Sequence, residues 1–389
     1  MQEPWNMIGL RVLLVKNSIH EAGIYDNKVE KLFSVAIFFI FFLYFFNGGY
    51  SKELEHLIGL VYLILLIFFN FSTIYKVKNI MVLSLFFVIW GIYLFINNKL
   101  DFLNVTIIYQ MLIMLFIFEC KFKVIKIKYI KLFLYAITII LTFQFILNSS
   151  GNKHALNAID PNISGGIMLL FFFLSYKIKY NLGILLSFFI ILMLLSRNYF
   201  FSIIIFYLIV FGKPYITRLL AFFQLNSFLR LVILFISFSI VVSFIFLANV
   251  TKYKEAGSSS RLLTVSDSGN KQRFVTNAMQ AIHFIENPKD LLFGIGNYKE
   301  FQKEFSKVIV HNSYLMFVSK YGLLLLIIYT IFVNINFNNV LFYDNLEYIV
   351  SYLFFCSFLN DFYIGIHFLI FLTIIFLIPT YNRNTYNEF

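Results

Sequence analysis

Residues 32–48 read LFSVAIFFIFFLYFFNG, an apolar run without a charged side chain. A helix needs about 20 predominantly apolar residues to cross a bilayer, with a range near 17 to 25. The whole chain has this character, because 60% of its 389 residues are hydrophobic, 13% are charged and 53 are phenylalanine. Soluble domains are about half apolar and about a quarter charged. The excess of apolar side chains therefore predicts an integral membrane protein.

Further apolar runs follow along the chain. With the first run they make twelve, at about 32–48, 57–74, 80–97, 102–119, 129–148, 163–177, 182–196, 198–212, 230–249, 320–337, 346–360 and 362–379. Backbone groups in lipid must find their partners within the protein, and turn signals are too sparse here for a barrel. The sequence therefore predicts an all-α polytopic membrane protein with about 12 transmembrane helices and one large outer loop.

The distribution of Lys and Arg predicts the orientation. With the N-terminus placed in the cytoplasm, sixteen of these residues fall in inner segments and four in short outer loops. This asymmetry follows the positive-inside rule and places both termini in the cytoplasm. It also accounts for most of the net charge of +12, so that charge does not indicate a nucleic-acid partner.

Four regions follow from this topology. Residues 1–31 form a cytoplasmic or interfacial N-terminus, and residues 32–249 form a membrane bundle of about nine helices. Residues 250–319 form a large outer, periplasmic loop with amphipathic helices. Residues 320–389 form about three more helices and a cytoplasmic C-terminus. Loops as long as the outer one are usually functional, so the outer face is where we expect the chemistry.

The outer loop contains several candidate site residues. Its segment 271–287 has apolar residues on one helical face, and we expect this helix to stop at Pro288. Arg261 lies in a Ser-rich stretch upstream, and an arginine can bind phosphate through two hydrogen bonds. His311 stands directly before an apolar run and can act as a general base near neutral pH. Asp290 stands alone in the sequence, and no pair of acidic residues in the loop predicts a metal site.

Polar residues also interrupt the membrane segments. Arg197 lies between two apolar runs, where a charge is costly and indicates a functional site, although an arginine reaching the headgroups is the alternative. Asp160 and Pro161 are typical of a helix N-cap and first residue. Asp361 and His367, near the last outer loop, are weaker candidates for lining a site.

Four stretches together resemble the O-antigen polymerase and ligase superfamily, of the Wzy and WaaL types. Their order, spacing and predicted side of the membrane match that family, over about residues 160 to 335. The stretches are DPNISGG at 160–166, LLSRNYF at 194–200, RFVTNAMQAIHFIENPKDLLFGIGNYKEF at 273–301, and HNSYLMFVSKYGLL at 311–324.

This resemblance implies a GT-C-like glycosyltransferase of the bacterial cytoplasmic (inner) membrane. It implies a polyprenyl-diphosphate-linked oligosaccharide as donor and neither a metal nor another cofactor. By position, His311 would deprotonate the acceptor hydroxyl, and Arg197 and Arg273 would bind the diphosphate. Arg261 is a weaker candidate for the same role, and Asn312 would orient or cap beside His311.

Several alternatives stay open. A polymerase joins the glycan to a lipid-linked repeat unit, with a chain-length regulator and a flippase as possible partners, whereas a ligase transfers it to lipid A-core. The Phe-rich composition favours the polymerase. A flippase or another transporter would place charges along a cavity at the membrane midplane, and charges are nearly absent from these apolar runs. A membrane scaffold would not need Arg197, Arg273 and His311 on one face.

Overall fold

The structure, a computed structural model, describes most of the membrane segments. It covers residues 28–70, 102–120, 122–124, 128–148, 156–157, 160–194, 196–222, 283–295, 312–336, 339–357 and 365–379, with further residues between 80 and 95 and at 280 and 301. Within these residues the chain is helical and contains no strand. The helices are α1 Lys28–Asn47, α2 Lys52–Asn70, α3 Phe102–Glu119, α4 Lys128–Leu147, α5 Pro161–Lys177, α6 Asn181–Leu194, α7 Arg197–Phe222, α8 Pro288–Phe293, α9 Ser313–Asn336, α10 Asn339–Asp344, α11 Leu346–Cys356 and α12 Ile366–Phe376.

The apolar helices identify a helical membrane protein. Among the described residues, five helical stretches are long and apolar enough to cross a bilayer: Lys28–Asn47, Lys52–Asn70, Ile130–Leu147, Asn198–Ile216 and Ser313–Asn336. Shorter apolar stretches lie in α3, α5, α6, α11 and α12. The predicted run at 230–249 lies outside the described residues, and the run at 80–97 is described only in part. The predicted total of about 12 spans therefore stays a prediction.

Central and peripheral helices differ in which faces they bury. Every residue of α12 is buried, and residues 167–174 of α5 are fully buried. A helix that is apolar on all sides belongs inside a bundle. By contrast, α2 exposes the large apolar side chains of Leu57, Leu60, Ile64 and Phe68. Their spacing of three and four residues makes one stripe along the helix, as expected of a surface that faces lipid.

Local sequence signals explain where the central helix α5 begins. Asp160 precedes it with an extended backbone and accepts a hydrogen bond of 2.8 Å from the backbone N–H of Asn162. Pro161 is the first helical residue, where a missing N–H costs nothing. The prediction of an N-cap at Asp160 is therefore confirmed.

Two groups of polar contacts mark the two ends of the bundle. At one end, the Gln144 side chain donates to the carbonyls of Phe45 and Phe46, and Asn312 donates to the carbonyl of Ser357. We call this the Asn312 end. At the other end, Lys177 donates to Asn345 and to carbonyls of α12. We call this the Lys177 end, and the positive-inside rule predicts that it faces the cytoplasm.

Candidate functional site at the Asn312 end

Asn312 caps helix α9. Its Oδ1 accepts hydrogen bonds of 3.0 Å from the backbone N–H groups of Tyr314 and Leu315. These are the second and third helical residues, so Asn312 is the N-cap. Its Nδ2 also donates a hydrogen bond of 3.0 Å to the carbonyl of Ser357, directly after α11. Asn312 therefore fixes the start of α9 against the end of α11.

The structure describes only part of the predicted site. Arg197 is the first residue of α7, which begins at the Asn312 end: the preceding residue, Ser196, lies against Gly165 in the first turns of α5. His311, Arg261 and Arg273 lie outside the described residues. The convergence of these residues around one substrate therefore stays a prediction.

Helix α9 begins earlier than predicted and is broken. The sequence placed residues up to 319 in the outer loop, but the helix begins at Ser313, and Ser313, Tyr314 and Phe317 are buried. Asn312 caps this start, and the predicted boundary of the outer loop at residue 319 stays a prediction. At Gly322 the backbone leaves the helix, with φ 85° and ψ 161°, a conformation that is almost restricted to glycine.

The break in α9 is filled by a piece of the large loop. The backbone N–H of Ile295 donates a hydrogen bond of 2.8 Å to the carbonyl of Ser319, one turn before the break. A Cβ atom on Gly322 would lie 2.3 Å from the carbonyl oxygen of Leu292, and one on Gly294 would lie 2.9 Å from the Gly322 nitrogen. Gly294 therefore permits close contact between α9 and the residues after α8.

The same piece of loop is held together by a histidine. Pro288 begins helix α8, and a separate helical turn at 283–286 ends just before it. His283 Nε2 lies 2.9 Å from Asp290 Oδ2, and Asn287 Nδ2 donates to the carbonyl of His283 at 3.0 Å. Asp290, which stands alone in the sequence, is thus paired in the fold. The contact closes the bend between the two helical pieces.

A carboxylate, an imidazole and a phenol meet at the Asn312 end. The hydroxyl of Tyr44, in α1, and Nδ1 of His367, in α12, share a hydrogen bond of 2.6 Å. On the other side of the ring, His367 Nε2 lies 3.7 Å from Oε1 of Glu55, in α2. Tyr44 is buried, whereas the side chains of His367 and Glu55 are 9% and 19% exposed. Three helices therefore supply one chain of polar groups, which we call the Glu55 cluster.

Neighbouring contacts attach the Glu55 cluster to α3. His56, next to Glu55, shares a hydrogen bond of 2.8 Å with the hydroxyl of Tyr109 through its Nδ1. Gln110 accepts a hydrogen bond of 3.2 Å from the backbone N–H of Gly365, just before α12. The segment between α11 and α12 is therefore tied at its start to Asn312 and near its end to α3.

Sequence reasoning found only one member of this cluster. His367 was a weaker candidate, and Glu55 and Tyr44 were missed. Glu55 stands in a short polar stretch between two apolar runs, and Tyr44 is one of 25 tyrosines. No group of three or more His, Cys, Asp or Glu that could hold a metal ion occurs within the part of the chain that the structure describes.

An apolar groove lies between α6 and α7. It has a volume of about 430 Å³ and opens at the surface, where Leu192, Leu208 and Phe211 are exposed. It runs beside the helix that begins at Arg197. Its lining consists of Phe188, Phe189, Ile191, Leu192, Phe200, Ile203, Ile204, Tyr207, Leu208 and Phe211. Such a surface suits a hydrocarbon chain rather than a polar ligand.

Comparison with known proteins identifies no family: no family model, curated protein or solved structure matches the chain.

Proposed function

We propose that this chain is a membrane polysaccharide polymerase. It transfers a glycan from polyprenyl diphosphate to a hydroxyl group of a lipid-linked acceptor repeat unit. The observation that carries this proposal is the anchoring of Asn312. The residue after His311 caps a broken, partly buried helix and binds the end of α11, so it stands on a rigid support at the end of the bundle where the Glu55 cluster collects. Catalytic groups need such support to hold their geometry.

The proposed reaction uses a base and two cations. His311 takes the proton of the acceptor hydroxyl while that oxygen forms a bond to the anomeric carbon of the donor sugar. The bond between this carbon and the phosphate oxygen breaks, and polyprenyl diphosphate leaves with the electron pair. Arg197 and Arg273 stabilise its developing charge, with Arg261 as a further contact, because guanidinium groups bind phosphate oxygens in pairs. These roles require neither a metal nor another cofactor.

The apolar groove supports a lipid-linked donor. Its walls come from α6 and α7, and α7 begins at Arg197, the residue proposed to bind the diphosphate. A diphosphate bound at the start of α7 would have its hydrocarbon chain beside the helix that lines the groove. A soluble nucleotide-sugar donor would gain nothing from this surface.

The distribution of lysines indicates which side of the membrane each end of the bundle faces. Lysines gather at the Lys177 end, so we infer that this end faces the cytoplasm and the Asn312 end faces the periplasm of a bacterial inner membrane. The full chain would then have about 12 spans and a GT-C-like arrangement around its large outer loop. Membrane lipid surrounds it, and a chain-length regulator and a flippase for the same glycan are its expected partners.

A gel of surface glycan tests the proposal. A strain that lacks this protein should carry single repeat units on lipid A-core instead of a ladder. The His311→Ala protein should fail to restore the ladder although its abundance in the membrane is normal. Long polymer that accumulates on polyprenyl diphosphate without reaching lipid A-core would identify a ligase instead. An unchanged ladder in the deletion strain would refute both activities.

A further inference from the structure

We propose that Glu55 binds the acceptor glycan through its carboxylate, and that His367 and Tyr44 are positioning residues that hold this carboxylate in place. The inference rests on the proposed function, because it adds an acceptor site to the transfer reaction. None of these three residues belongs to the set that the sequence assigned to the base and the diphosphate.

The Glu55 cluster runs from the core towards the surface. Tyr44 lies in the interior, the His367 side chain is 9% exposed, and the Glu55 side chain is 19% exposed. The two inner members are a phenol and an imidazole, and the carboxylate is the most exposed member of the cluster. This order is the one expected when inner groups orient an outer group towards a ligand, as supporting residues do around binding sites.

The cluster is costly for a purely structural contact. Glu55 lies in the first turn of α2 and His367 is the second residue of α12, and withdrawing such ionisable groups from water costs free energy. A well-packed apolar group of similar size commonly replaces a buried ion pair without loss of stability. Glu55 and His367 also stand 3.7 Å apart, which is longer than a hydrogen bond between N and O. The contact between Glu55 and His367 is therefore looser than a direct hydrogen bond between α2 and α12.

The chemistry of a carboxylate selects the ligand. An ionised Glu only accepts hydrogen bonds, so its ligand must donate them. The cluster supplies one carboxylate and one imidazole, whereas zinc sites use three or four protein ligands. Sugar hydroxyls donate hydrogen bonds, and bonds to a charged acceptor are about twice as strong as those between neutral groups. A hydroxyl-rich glycan is thus the matching ligand.

The position of the cluster fits an acceptor rather than a donor. Its His367 stands two residues after Gly365, whose N–H is bound by Gln110. The same connection begins at Ser357, whose carbonyl is bound by Asn312, the neighbour of the proposed base. The groove that suits the donor chain lies instead between α6 and α7. Asn312, the neighbour of the proposed base, and His367 of the Glu55 cluster therefore stand at the two ends of the same connection, whereas the donor groove lies between other helices.

The test measures glycan binding by the full-length protein in detergent. The probe is a set of oligosaccharides of one to three repeat units, released by mild acid from the producing strain's own surface polysaccharide. Glu55→Gln keeps the size of the side chain but removes its charge, so it should weaken binding by about tenfold or more. Glu53→Gln is the matched control, because Glu53 is exposed on the same helical turn and accepts a hydrogen bond from Ser51.

A second pair of variants tests the positioning role. Tyr44→Phe and His367→Gln should weaken oligosaccharide binding less than Glu55→Gln does, and should raise the KM for the acceptor more than they lower kcat. A merely structural role would lower the melting temperature and leave the affinity of the folded protein unchanged. That result would remove the positioning assignment.

The outcomes separate this inference from the proposed function. Equal affinity of Glu55→Gln and the wild type would overturn the acceptor site, and so would a wild-type protein that binds none of the oligosaccharides. Neither binding result contradicts the polymerase activity, because the surface-glycan ladder of the deletion strain tests that activity separately. A deletion strain with a normal ladder would overturn the polymerase whatever the binding data show.

Discussion

The two ends of the bundle use polar groups in opposite ways. At the Lys177 end, Lys177 donates hydrogen bonds of 2.8, 2.8 and 3.0 Å to Asn345 Oδ1 and to the carbonyls of Ile374 and Ile375. An ammonium group has three donors, so these contacts use all of them. At the Asn312 end, the Glu55 cluster ends in a carboxylate that reaches the surface.

Other lysines strengthen the contrast. Lys213 pairs with Glu347 at 2.7 Å and donates to the carbonyl of Asp344 at 2.8 Å, and Lys123 donates to the carbonyl of Phe376. Cations are favourable at helix C-termini, where carbonyls lack partners, and α10 and α12 end at these carbonyls. Polar groups that satisfy one another inside the fold serve stability, whereas a polar chain that opens outward can serve a ligand.

The largest effect is expected from Lys177→Met, which tests whether the contacts of Lys177 stabilise the fold. The change leaves Asn345 Oδ1 and two carbonyls of α12 without a buried donor, and each such loss costs about 1–3 kcal/mol. Three acceptors at this cost add up to roughly 3–9 kcal/mol, and we expect a destabilisation near the lower end of that range. Thermal unfolding of the purified protein in detergent measures it. Lys179→Met is the control, because Lys179 is exposed just beyond the same helix.

Two results would contradict the claim that the polar groups at the Lys177 end serve stability. An unchanged melting temperature in Lys177→Met would show that the lysine contacts do not hold α12. A stable Lys177→Met protein that has lost polymer formation would give the Lys177 end a role in the reaction.

The next largest effect is expected at the contact between residues 283–295 and the break in α9 at Gly322. In Gly322→Ala, the new Cβ would meet the carbonyl oxygen of Leu292 at 2.3 Å, and the backbone would stay in a region that costs other residues about 1–3 kcal/mol. We expect residues 283–295 to detach from α9. Limited proteolysis should then cleave this segment faster than in the wild type, and the glycan ladder should shorten or vanish.

Gly91→Ala is the control for this experiment, because a Cβ on Gly91 would meet no atom within 4 Å. Equal protease resistance in Gly322→Ala and the wild type would mean that the loop is held mainly by its small apolar core around Phe284, Ile295 and Val318.

These features differ in how far the sequence predicts them. The apolar runs and the Asp160 cap are local, since they depend on composition and on neighbouring residues, and the sequence predicted both. The break at Gly322 is not local. A glycine within an apolar run is compatible with a continuous helix, and here the backbone around Leu292 occupies the place that a straight helix would need. The break was therefore missed.

The candidate site shows the same limit. The roles of Arg197, Arg261, Arg273, His311 and Asn312 were predicted from local residue chemistry and from the family resemblance, and they stay predictions. Glu55 and Tyr44 were missed because the members of the cluster are distant in sequence: Tyr44 and His367 are 323 positions apart. A single sequence gives no information on which polar residues of different helices will meet.

The smallest effect is expected from Tyr62→Phe. The hydroxyl of Tyr62, in α2, lies 2.6 Å from Thr373 Oγ1, in α12, and Thr373 also donates to the carbonyl of Leu369 at 2.7 Å. Thr373 therefore keeps an acceptor after the change. Hydrogen bonds between membrane helices are worth about 0.6 kcal/mol on average, so we expect a loss of this size in a double-mutant cycle with Thr373→Val.

This contact is informative because it joins the two helices that Glu55 and His367 also join. If Tyr62→Phe and Glu55→Gln lower the melting temperature by the same small amount, both contacts contribute equally to the packing of α2 on α12. If only Glu55→Gln then loses glycan binding, the loss comes from the missing carboxylate. Tyr62→Phe would have weakened the same interface equally without affecting binding. A loss of binding in Tyr62→Phe as well would mean that the position of α2, and not the Glu55 carboxylate, controls the site.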